Sequence, residues 1–194
     1  MTFRIEEKLL INTKQIIEFK DFLISSSANQ LYKPRTIKSL YFENVNNEMY
    51  EDSIEGITPR KKIRVRNYPE DKNLILYLEI KISSIEGRFK TRKIINDEEF
   101  KRIKKNGIED KQYGYCKPLI YVTYKREYYQ FKDMRVSIDT DIKYSLFSGR
   151  TLGSDQNSIV EIKASINKDV DDLVADFPFQ RTRFSKYCNG YEKI

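Results

Sequence analysis

The stretch Arg60–Arg92 constrains this chain most, because it contains three consecutive segments with a charged residue at every second position. Side chains of a β-strand alternate between its two faces, so residues two positions apart share a face. Each segment therefore predicts a strand with one charged and one apolar face. The charged positions are Lys62, Arg64 and Arg66, then Glu79 and Lys81, then Arg88, Lys90 and Arg92.

Rows of charge like these are usually solvated, which would place them on the outside of an ordinary barrel. Two observations favour the opposite orientation. The rows are mostly basic with single carboxylates, as in Arg4-x-Glu6-x-Lys8, whereas surfaces mix charges of both signs. Helices with apolar stripes also need an apolar strand face to cover. Because buried unpaired charge is costly, the resulting polar interior must hold water and a counter-anion.

The remaining patterns predict an α+β, mainly β fold: a closed eight-stranded antiparallel β tunnel with a basic lumen and helices packed outside. Closure is favoured because an open sheet would leave exposed edges. The further strands are expected at Phe3–Ile11, Thr36–Glu43, Leu119–Phe131, Met134–Ile142 and Ser158–Ile166. Helices are expected after Asn12, after Asn96, near Asp169–Asp176 and around Phe184–Tyr191, with a short element at Met49–Ile54. Glu109–Lys117 is expected to be a connector and Tyr144–Gln156 an irregular excursion.

The amino-acid composition limits the kinds of catalytic site, metal site and binding partner that this chain can have. The 194 residues suit one domain, 1–194, and 36 Lys and Arg against 29 Asp and Glu favour an anionic partner. With no histidine, His-ligated zinc and Ser-His or Cys-His catalysis are excluded. Cys116 and Cys188 have no metal-site spacing and are expected to be unlinked thiols. A charged N-terminus and short apolar runs predict a cytoplasmic protein without a transmembrane segment.

Ten short motifs, in order, match one known family. They are Arg4-x-Glu6-x-Lys8, Ser39-Leu-Tyr-Phe, Asp52-x-x-Glu55-Gly56, Lys62-x-Arg64-x-Arg66, Leu78-Glu79-Ile80-Lys81, Lys90-x-Arg92, Tyr124-Lys125-Arg126, Arg135-x-Ser137-x-Asp139, Val160-Glu161-Ile162-Lys163 and Ser185-Lys186-Tyr187. Through them the chain resembles the VTC (vacuolar transporter chaperone) catalytic domain of the triphosphate tunnel metalloenzyme superfamily, which includes the CYTH enzymes. The resemblance spans nearly the whole chain.

The resemblance implies an eight-stranded tunnel that makes inorganic polyphosphate from ATP with Mn²⁺ or Mg²⁺. Its expected partners are ATP, polyphosphate and pyrophosphate, with no specific nucleic acid and room for a separate membrane partner. The implied catalytic residues are Arg64, Arg66, Lys81, Arg126, Arg135 and Lys186. Further phosphate contacts are expected from Lys8, Lys62, Lys90, Arg92, Tyr124 and Ser185. The implied metal ligand is Glu161, with Glu6 or Glu79 as further candidates.

The chain also departs from the family pattern. CYTH triphosphatases open with Glu-x-Glu-x-Lys, whereas Arg4 replaces the first Glu here, which favours the polymerase branch over a second, hydrolytic metal site. The regulatory domain and membrane segment of the eukaryotic polymerase are not expected. A tripolyphosphate or nucleoside triphosphate hydrolase of the same fold, and a non-catalytic polyanion-binding module, stay open as alternatives.

Several residues also have purely structural interpretations. Tyr124 is equally consistent with core packing, and Ser185 with capping the last helix. Asp139 is expected to pair with an arginine rather than bind metal. Glu79 is consistent with only neutralising neighbouring cations, and Lys186 with solvent exposure.

Overall fold

The structure is a computed structural model that describes residues 4–165 and 179–194. Its strands are β1 (Arg4–Ile11), β2 (Asn29–Asn44), β3 (Arg60–Asn67), β4 (Leu76–Ser84), β5 (Gly87–Ile95), β6 (Ile108–Asp110), β7 (Gly114–Phe131), β8 (Met134–Leu146), β9 (Thr151–Ser154), β10 (Ser158–Ser165) and β11 (Gln180–Arg181). Its described helices are α1 (Thr13–Ser25), α2 (Glu48–Glu55), α3 (Asp97–Asn106) and α4 (Lys186–Tyr191). None of these helices is long and apolar enough to cross a membrane. The acidic helix predicted near Asp169–Asp176 lies outside the described residues.

The described residues form two compact units. Unit 1 contains residues 4–35, 124–142, 154–165 and 179–184. Unit 2 contains Thr36–Thr123, Lys143–Gly153 and Ser185–Ile194. Strands β2, β7 and β8 contribute residues to both units, and the single domain expected over 1–194 stays a prediction.

Unit 1 is an antiparallel sheet with one helix on its apolar face. Its strand order is β11-β1-β10-β8-β7-β2. Its core comprises Leu9, Ile11, Phe19, Leu23, Tyr129, Phe131, Met134, Val136, Ile138, Val160, Ile162 and Ala164. Phe19 and Leu23, four residues apart, place one side of α1 against the strands. The helix begins with the capping box predicted at Asn12, in which Gln15 completes the reciprocal bonds.

Unit 2 repeats this two-layer arrangement. Its strands follow the order β8-β7-β2-β3-β4-β5, with β6 paired to β7 and β9 to β8. Its core comprises Leu40, Phe42, Met49, Ile63, Val65, Leu76, Ile95, Ile103, Tyr113 and Cys116. Met49 of α2 and Ile103 of α3 therefore cover the apolar strand face, as the alternating pattern predicts. Asn96 caps α3 by accepting from the Glu99 backbone N–H, also as predicted.

In each unit the charged rows lie on the strand face opposite the core. Acidic members of these rows are strongly buried: Glu79 in unit 2 is 1% exposed, and Asp139 and Glu161 in unit 1 are 0% and 6% exposed. Neither charged face is an ordinary solvated surface, because ionised carboxylates are almost never buried unless they are paired.

The mainly antiparallel β class is confirmed, but several boundaries differ from the prediction. The described residues contain eleven strands rather than eight, and β11 and β5 each have one strand neighbour, so two edges remain. β2 begins at Asn29, seven residues before the predicted start at Thr36, and continues through Pro34, whose fixed φ is compatible with extended backbone. Met49–Ile54 lies within helix α2.

The predicted connector Glu109–Lys117 and the excursion Tyr144–Gln156 contain strand residues. β6 and the start of β7 form a hairpin in which Ile108 faces Cys116. Gly107 makes this hairpin possible, because its φ is +88° and an added Cβ would lie 2.6 Å from the Cys116 carbonyl oxygen. β8 continues to Leu146 and pairs with β9. The pairings of β6 with β7 and of β9 with β8 are short and depend on turn geometry. Their sequences show no alternation of polar and apolar residues from which strands could have been predicted.

Candidate functional site

The charged face of unit 2 is organised in rungs, each formed by residues directly opposite one another on adjacent strands. One rung joins Lys62, Lys81 and Lys90 across β3, β4 and β5. Like charges directly opposite destabilise a sheet. Three aligned lysines therefore form a surface that an anion would stabilise.

The next rung has a carboxylate at its centre. Tyr41, Arg64, Glu79 and Arg92 face one another across β2, β3, β4 and β5. The Glu79 carboxylate lies 2.7 Å from Arg64, 3.8 Å from Arg66, 2.6 Å from Lys90 and 3.3 Å from Arg92. One negative charge thus holds four cations in place and leaves a net positive cluster.

The surroundings of Glu79 keep it ionised. Burial by itself raises the pKa of this carboxyl, but the charges of Arg64 and Arg66 and the hydrogen bond from Lys90 outweigh burial and bring the pKa from 4.5 to about 2. Glu79 therefore carries its charge throughout the physiological pH range. A carboxylate surrounded by four cations has little capacity to bind a metal ion as well.

Tyr41 is a buried phenol in the same rung. Its hydroxyl accepts a 2.8 Å hydrogen bond from Arg64 Nη1, and its ring stacks on Tyr187. Burial raises its pKa, but Arg64, Arg66 and Lys62 overcome this and lower the pKa of Tyr41 from 10.0 to about 8. The cations around Tyr41 therefore bring the titration of its phenol to within about one pH unit of neutrality.

The C-terminal helix α4 borders the lysine rung within unit 2. Ser185 caps α4 by accepting from the Cys188 backbone N–H, and its hydroxyl also accepts from Lys62 Nζ at 2.7 Å. Burial lowers the pKa of Lys62. The capping role expected for Ser185 is therefore observed, and its contact with Lys62 places it beside the basic row, while a contact with phosphate stays a prediction.

Two tyrosines attach α4 to the rest of unit 2. The Tyr187 hydroxyl donates a very short hydrogen bond to Glu43, which also accepts from the Met49 and Tyr50 backbone N–H groups at the start of α2. Tyr191 stacks on Tyr50 with ring centroids 3.9 Å apart. Lys186, on the first turn of α4, is partly buried rather than fully solvated.

The charged face of unit 1 also has two rungs. Lys8, Glu161 and Ser137 face one another across β1, β10 and β8, and so do Glu6, Lys163 and Arg135. The Lys163 ammonium lies 2.5 Å from Glu161 and 3.7 Å from Glu6, and thus links the two rungs. The Lys8 ammonium donates to the Phe184 carbonyl at 2.6 Å.

Arg126 connects this network to Asp139. Its Nη2 donates to one Asp139 oxygen at 2.6 Å, its Nε makes a shorter bond to the other, and Glu161 lies 3.6 Å away. The expected pairing of Asp139 with an arginine is therefore observed. Burial would raise the pKa of Glu161, but Arg126 and Lys163 hold it well below its usual range. Burial would likewise lower the pKa of Arg126, but Asp139 raises it instead.

Comparison with models of known protein families identifies the family of this chain. The model of the VTC domain family matches residues 3–194. The chain belongs to the VTC domain family. A comparison with curated protein sequences finds no match.

Solved structures show the fold of this VTC domain. A candidate adenylate cyclase of Bacillus halodurans matches with a TM-score of 0.63 and 12% identity, over 95% of this chain and 94% of that one. A Pyrococcus horikoshii protein matches at 0.60 with 15% identity, over 99% and 100%. A candidate adenylate cyclase of Vibrio parahaemolyticus matches at 0.60 with 12% identity, over 98% of each chain. At these identities the likenesses show the fold alone, and they agree with the mainly antiparallel β class that the sequence predicts.

The carboxylates of this VTC domain differ in their fitness for a divalent cation. In residues 4–165 and 179–194, no three His, Cys, Asp or Glu side chains form a metal-binding group. Glu6 and Glu161 are nevertheless neighbours, both within reach of Lys163. Two carboxylates suit Mg²⁺ or Mn²⁺, which complete their shells with water and phosphate oxygens. The cations around Glu79 favour its neutralising role instead.

The predicted site residues of the VTC domain thus lie in two groups, one in each unit. Unit 2 brings together Lys62, Arg64, Arg66, Glu79, Lys81, Lys90, Arg92 and Ser185, and Lys186 follows Ser185 at the start of α4. Unit 1 brings together Glu6, Lys8, Tyr124, Arg126, Arg135 and Glu161. Tyr124 is buried, with the Arg126 guanidinium 5.3 Å from its ring centre. It therefore packs and also borders a cation.

No site role was predicted for Tyr41, Glu43 or Lys163, although the quoted motifs contain Tyr41 and Lys163. Tyr41 and Glu43 share strand parity with Ser39 of a quoted motif, and Lys163 follows Glu161 by two residues. That parity was the available signal for all three. The residues that these three side chains contact could not be predicted from strand parity, because parity shows on which face of a strand a side chain lies but not which residue lies opposite.

Proposed function

We propose that this VTC domain is a metal-dependent phosphotransferase that synthesises inorganic polyphosphate from ATP. The observation that carries the proposal is the lysine rung Lys62, Lys81 and Lys90, which lies beside a rung with two arginines. Of these five aligned cations, Arg64, Lys90 and Arg92 pair with one buried carboxylate, Glu79, which cannot balance the charge of the whole group. A phosphate chain carries negative charge at regular intervals and would supply the missing neutralisation.

The two cation types have different tasks in this proposal. Arginine offers a planar fork that binds two phosphate oxygens at once, whereas lysine offers a compact point charge. Arg64 and Arg66 are held by Glu79, so little side-chain freedom is lost when phosphate binds. In unit 1, Asp139 holds Arg126 in the same way. Prepositioned cations stabilise charge that develops during transfer without having to reorganise.

The reaction needs no nucleophile from the protein. An oxygen of the terminal phosphate of the growing chain attacks the γ-phosphorus of ATP, the bond between the γ-phosphorus and the β-bridging oxygen breaks, and ADP leaves. That attacking oxygen is already ionised at neutral pH, so the chain's lack of histidine is no obstacle. Positioning and charge neutralisation supply the catalysis.

Glu161 and Glu6 are the residues proposed to hold Mn²⁺ or Mg²⁺ when it binds. The cation would neutralise charge on the phosphate oxygens. The Lys163 ammonium links these carboxylates in the structure and would have to move aside for a divalent cation held by both of them.

Incubation of the purified protein with ATP and Mn²⁺, followed by gel separation of the products, tests the proposal. Long phosphate chains are expected. Free phosphate alone would instead identify a hydrolase of the same fold. Binding to polyanions with a steep salt dependence and no turnover would identify a non-catalytic module.

A further inference from the structure

Unit 1 contains a row of alternating aromatic and cationic side chains that begins at the proposed phosphate-binding residue Arg126 and continues beyond it. The Arg126 guanidinium lies 5.3 Å from the centre of the Tyr124 ring and 5.7 Å from that of Tyr128. The Arg35 guanidinium lies 5.1 Å from the Tyr128 ring and 5.2 Å from the Tyr32 ring. The row therefore begins beside Asp139 and Glu161 and ends at Tyr32.

The two ends of the row differ in exposure. Tyr124 and Tyr128 are buried, whereas Tyr32 is 55% exposed. Tyr32 meets Tyr128 edge-on, with centroids 5.5 Å apart and an angle of 88°. This contact and the Arg35 guanidinium fix the orientation of a ring that solvent can reach. An ordered, half-exposed aromatic ring beside an arginine is a stacking surface for another planar group.

The position of this surface selects the class of ligand. One aromatic ring, that of Tyr128, separates the Tyr32 ring from the Arg126 guanidinium. Arg126 belongs to the group of residues to which phosphate binding is assigned above. A ligand that fits both places carries phosphates at one end and a flat, uncharged aromatic group at the other.

We infer that Tyr32 and Arg35, supported by Tyr128, bind the nucleobase of the nucleoside triphosphate substrate. The inference rests on the proposed function for the identity of the phosphate donor. The base stacks on Tyr32, and Arg35 lies against Tyr32 and Tyr128 as a planar cation. Stacking of this kind accepts any base, so it discriminates nucleoside triphosphates from inorganic tripolyphosphate rather than one base from another.

Binding of ATP and of inorganic tripolyphosphate, each measured calorimetrically with Mg²⁺ present, tests the inference. Tyr32→Ala is expected to weaken ATP binding roughly tenfold, or about 1.4 kcal/mol. The affinity of Tyr32→Ala for tripolyphosphate should stay within about twofold of the wild-type affinity, because that ligand has no base. Tyr32→Phe should behave as wild type, since it keeps the ring. Arg35→Lys should resemble Tyr32→Ala, since it keeps the charge and loses the planar surface.

Tyr115→Ala is the matched control, because Tyr115 is a similarly exposed tyrosine (66%) that lies in unit 2. Its affinities for both ligands should be unchanged. Equal losses for ATP and tripolyphosphate in Tyr32→Ala would show a structural role and overturn the inference, as would unchanged ATP binding. The outcome is separate from the proposed function: a wild-type protein that binds ATP better than tripolyphosphate, yet forms no polyphosphate, would contradict only the polymerase activity.

Discussion

Arg64 donates two hydrogen bonds to a single oxygen of Glu79, from Nε at 2.9 Å and from Nη2 at 2.7 Å. The other Glu79 oxygen lies close to Lys90 and Arg92. Each oxygen of this carboxylate thus serves one pair of cations. The charge of Glu79 therefore organises the face for which phosphate binding is proposed, in addition to any effect on the ligand.

Replacing that charge should destabilise the protein. Glu79→Gln is expected to lower the free energy of unfolding by about 3 kcal/mol at pH 7, the equivalent of lowering a carboxyl pKa from 4.5 to about 2. Because the folded-state pKa is depressed, this stability is present above pH 4.5 and disappears as the pH falls towards 2. Denaturant titrations of both proteins between these pH values measure the effect.

Glu99→Gln is the control for that experiment. Glu99 pairs with Lys93 alone among the described cations within 4.0 Å, and the Lys93 side chain is 66% exposed. Exposed pairs contribute about 0–1 kcal/mol. A Glu79→Gln protein as stable as wild type at pH 7 would show that the four cations do not depend on this carboxylate.

Arg64 should matter more for turnover than for folding. Arg64→Ala is expected to reduce kcat/KM for polyphosphate synthesis roughly hundredfold, because one prepositioned donor is lost. Arg64→Lys should recover only part of this, since lysine cannot bind with a fork. Arg66, Lys90 and Arg92 remain beside Glu79, so the variant should still fold and should lose less stability than Glu79→Gln.

Arg60→Ala is a matched control on the same strand. The Arg60 guanidinium donates to the Gly56 and Ile57 carbonyls and is assigned no phosphate contact. Its replacement should leave kcat/KM within about twofold of wild type. If Arg60→Ala and Arg64→Ala reduce activity equally, the loss reflects general charge rather than a specific phosphate contact.

These contacts also show which features of the fold and of the site could be predicted from sequence patterns. Alternation predicted the charged and apolar faces of β3, β4 and β10, and side-chain chemistry predicted both helix caps, because each depends on residues within a few positions. The pairing of Glu43 with Tyr187 joins residues 144 positions apart, and that of Lys62 with Ser185 joins residues 123 apart. Such pairs are decided by strand order and register. Local periodicity carries no information about either.

The metal assignment can be tested with single carboxylates. Glu161→Gln and Glu6→Gln should each raise the Mn²⁺ concentration required for half-maximal activity by about tenfold or more, since each removes a proposed ligand charge. Chelation of the metal should abolish synthesis in wild type. Activity measured across a Mn²⁺ series gives both results.

Glu127→Gln controls for the loss of a carboxylate from unit 1. Glu127 pairs with Lys20 at 2.5 Å, away from the proposed ligands. The Mn²⁺ concentration that Glu127→Gln requires for half-maximal activity should equal that of wild type. A Glu161→Gln enzyme with low activity at every Mn²⁺ concentration, and an unchanged half-maximal value, would argue against Glu161 as a ligand.

Tyr41 should make phosphate binding dependent on pH. With a pKa of about 8, its phenol ionises as the pH rises from 7 to 9 and places a negative charge among Lys62, Arg64 and Arg66. Pyrophosphate binding should therefore weaken over this range. Tyr41→Phe should remove the part of the dependence that is due to the phenol and leave any part due to lysine titration. Binding isotherms measure the affinity for pyrophosphate, and tyrosinate absorbance at the same pH values measures ionisation of the phenol. If wild type and Tyr41→Phe show identical pH profiles of binding, Tyr41 is not the source of the pH dependence.

The hydrogen bond from Tyr187 to Glu43 should stabilise the attachment of α4. Burial raises the pKa of Glu43 above its usual value, and the Tyr187 hydroxyl and three backbone N–H groups, which bind the ionised form, offset only part of this rise. Tyr187→Phe leaves the ring stacked on Tyr41 and removes one donor from a buried carboxylate, so a loss of about 1–3 kcal/mol is expected at pH 7. This loss should shrink as the pH falls through the pKa of Glu43, because the protonated carboxyl needs the donor less.

Denaturant unfolding of Tyr187→Phe at neutral and acidic pH provides the measurement, with Tyr191→Phe as the matched control. Tyr191 lies on the same helix and stacks on Tyr50 through its ring, so loss of its hydroxyl preserves that contact. Its stability should stay within about 0.5 kcal/mol of wild type. An equal loss at both pH values for Tyr187→Phe would assign the effect to packing, because only a bond to the ionised carboxylate weakens when Glu43 takes up a proton.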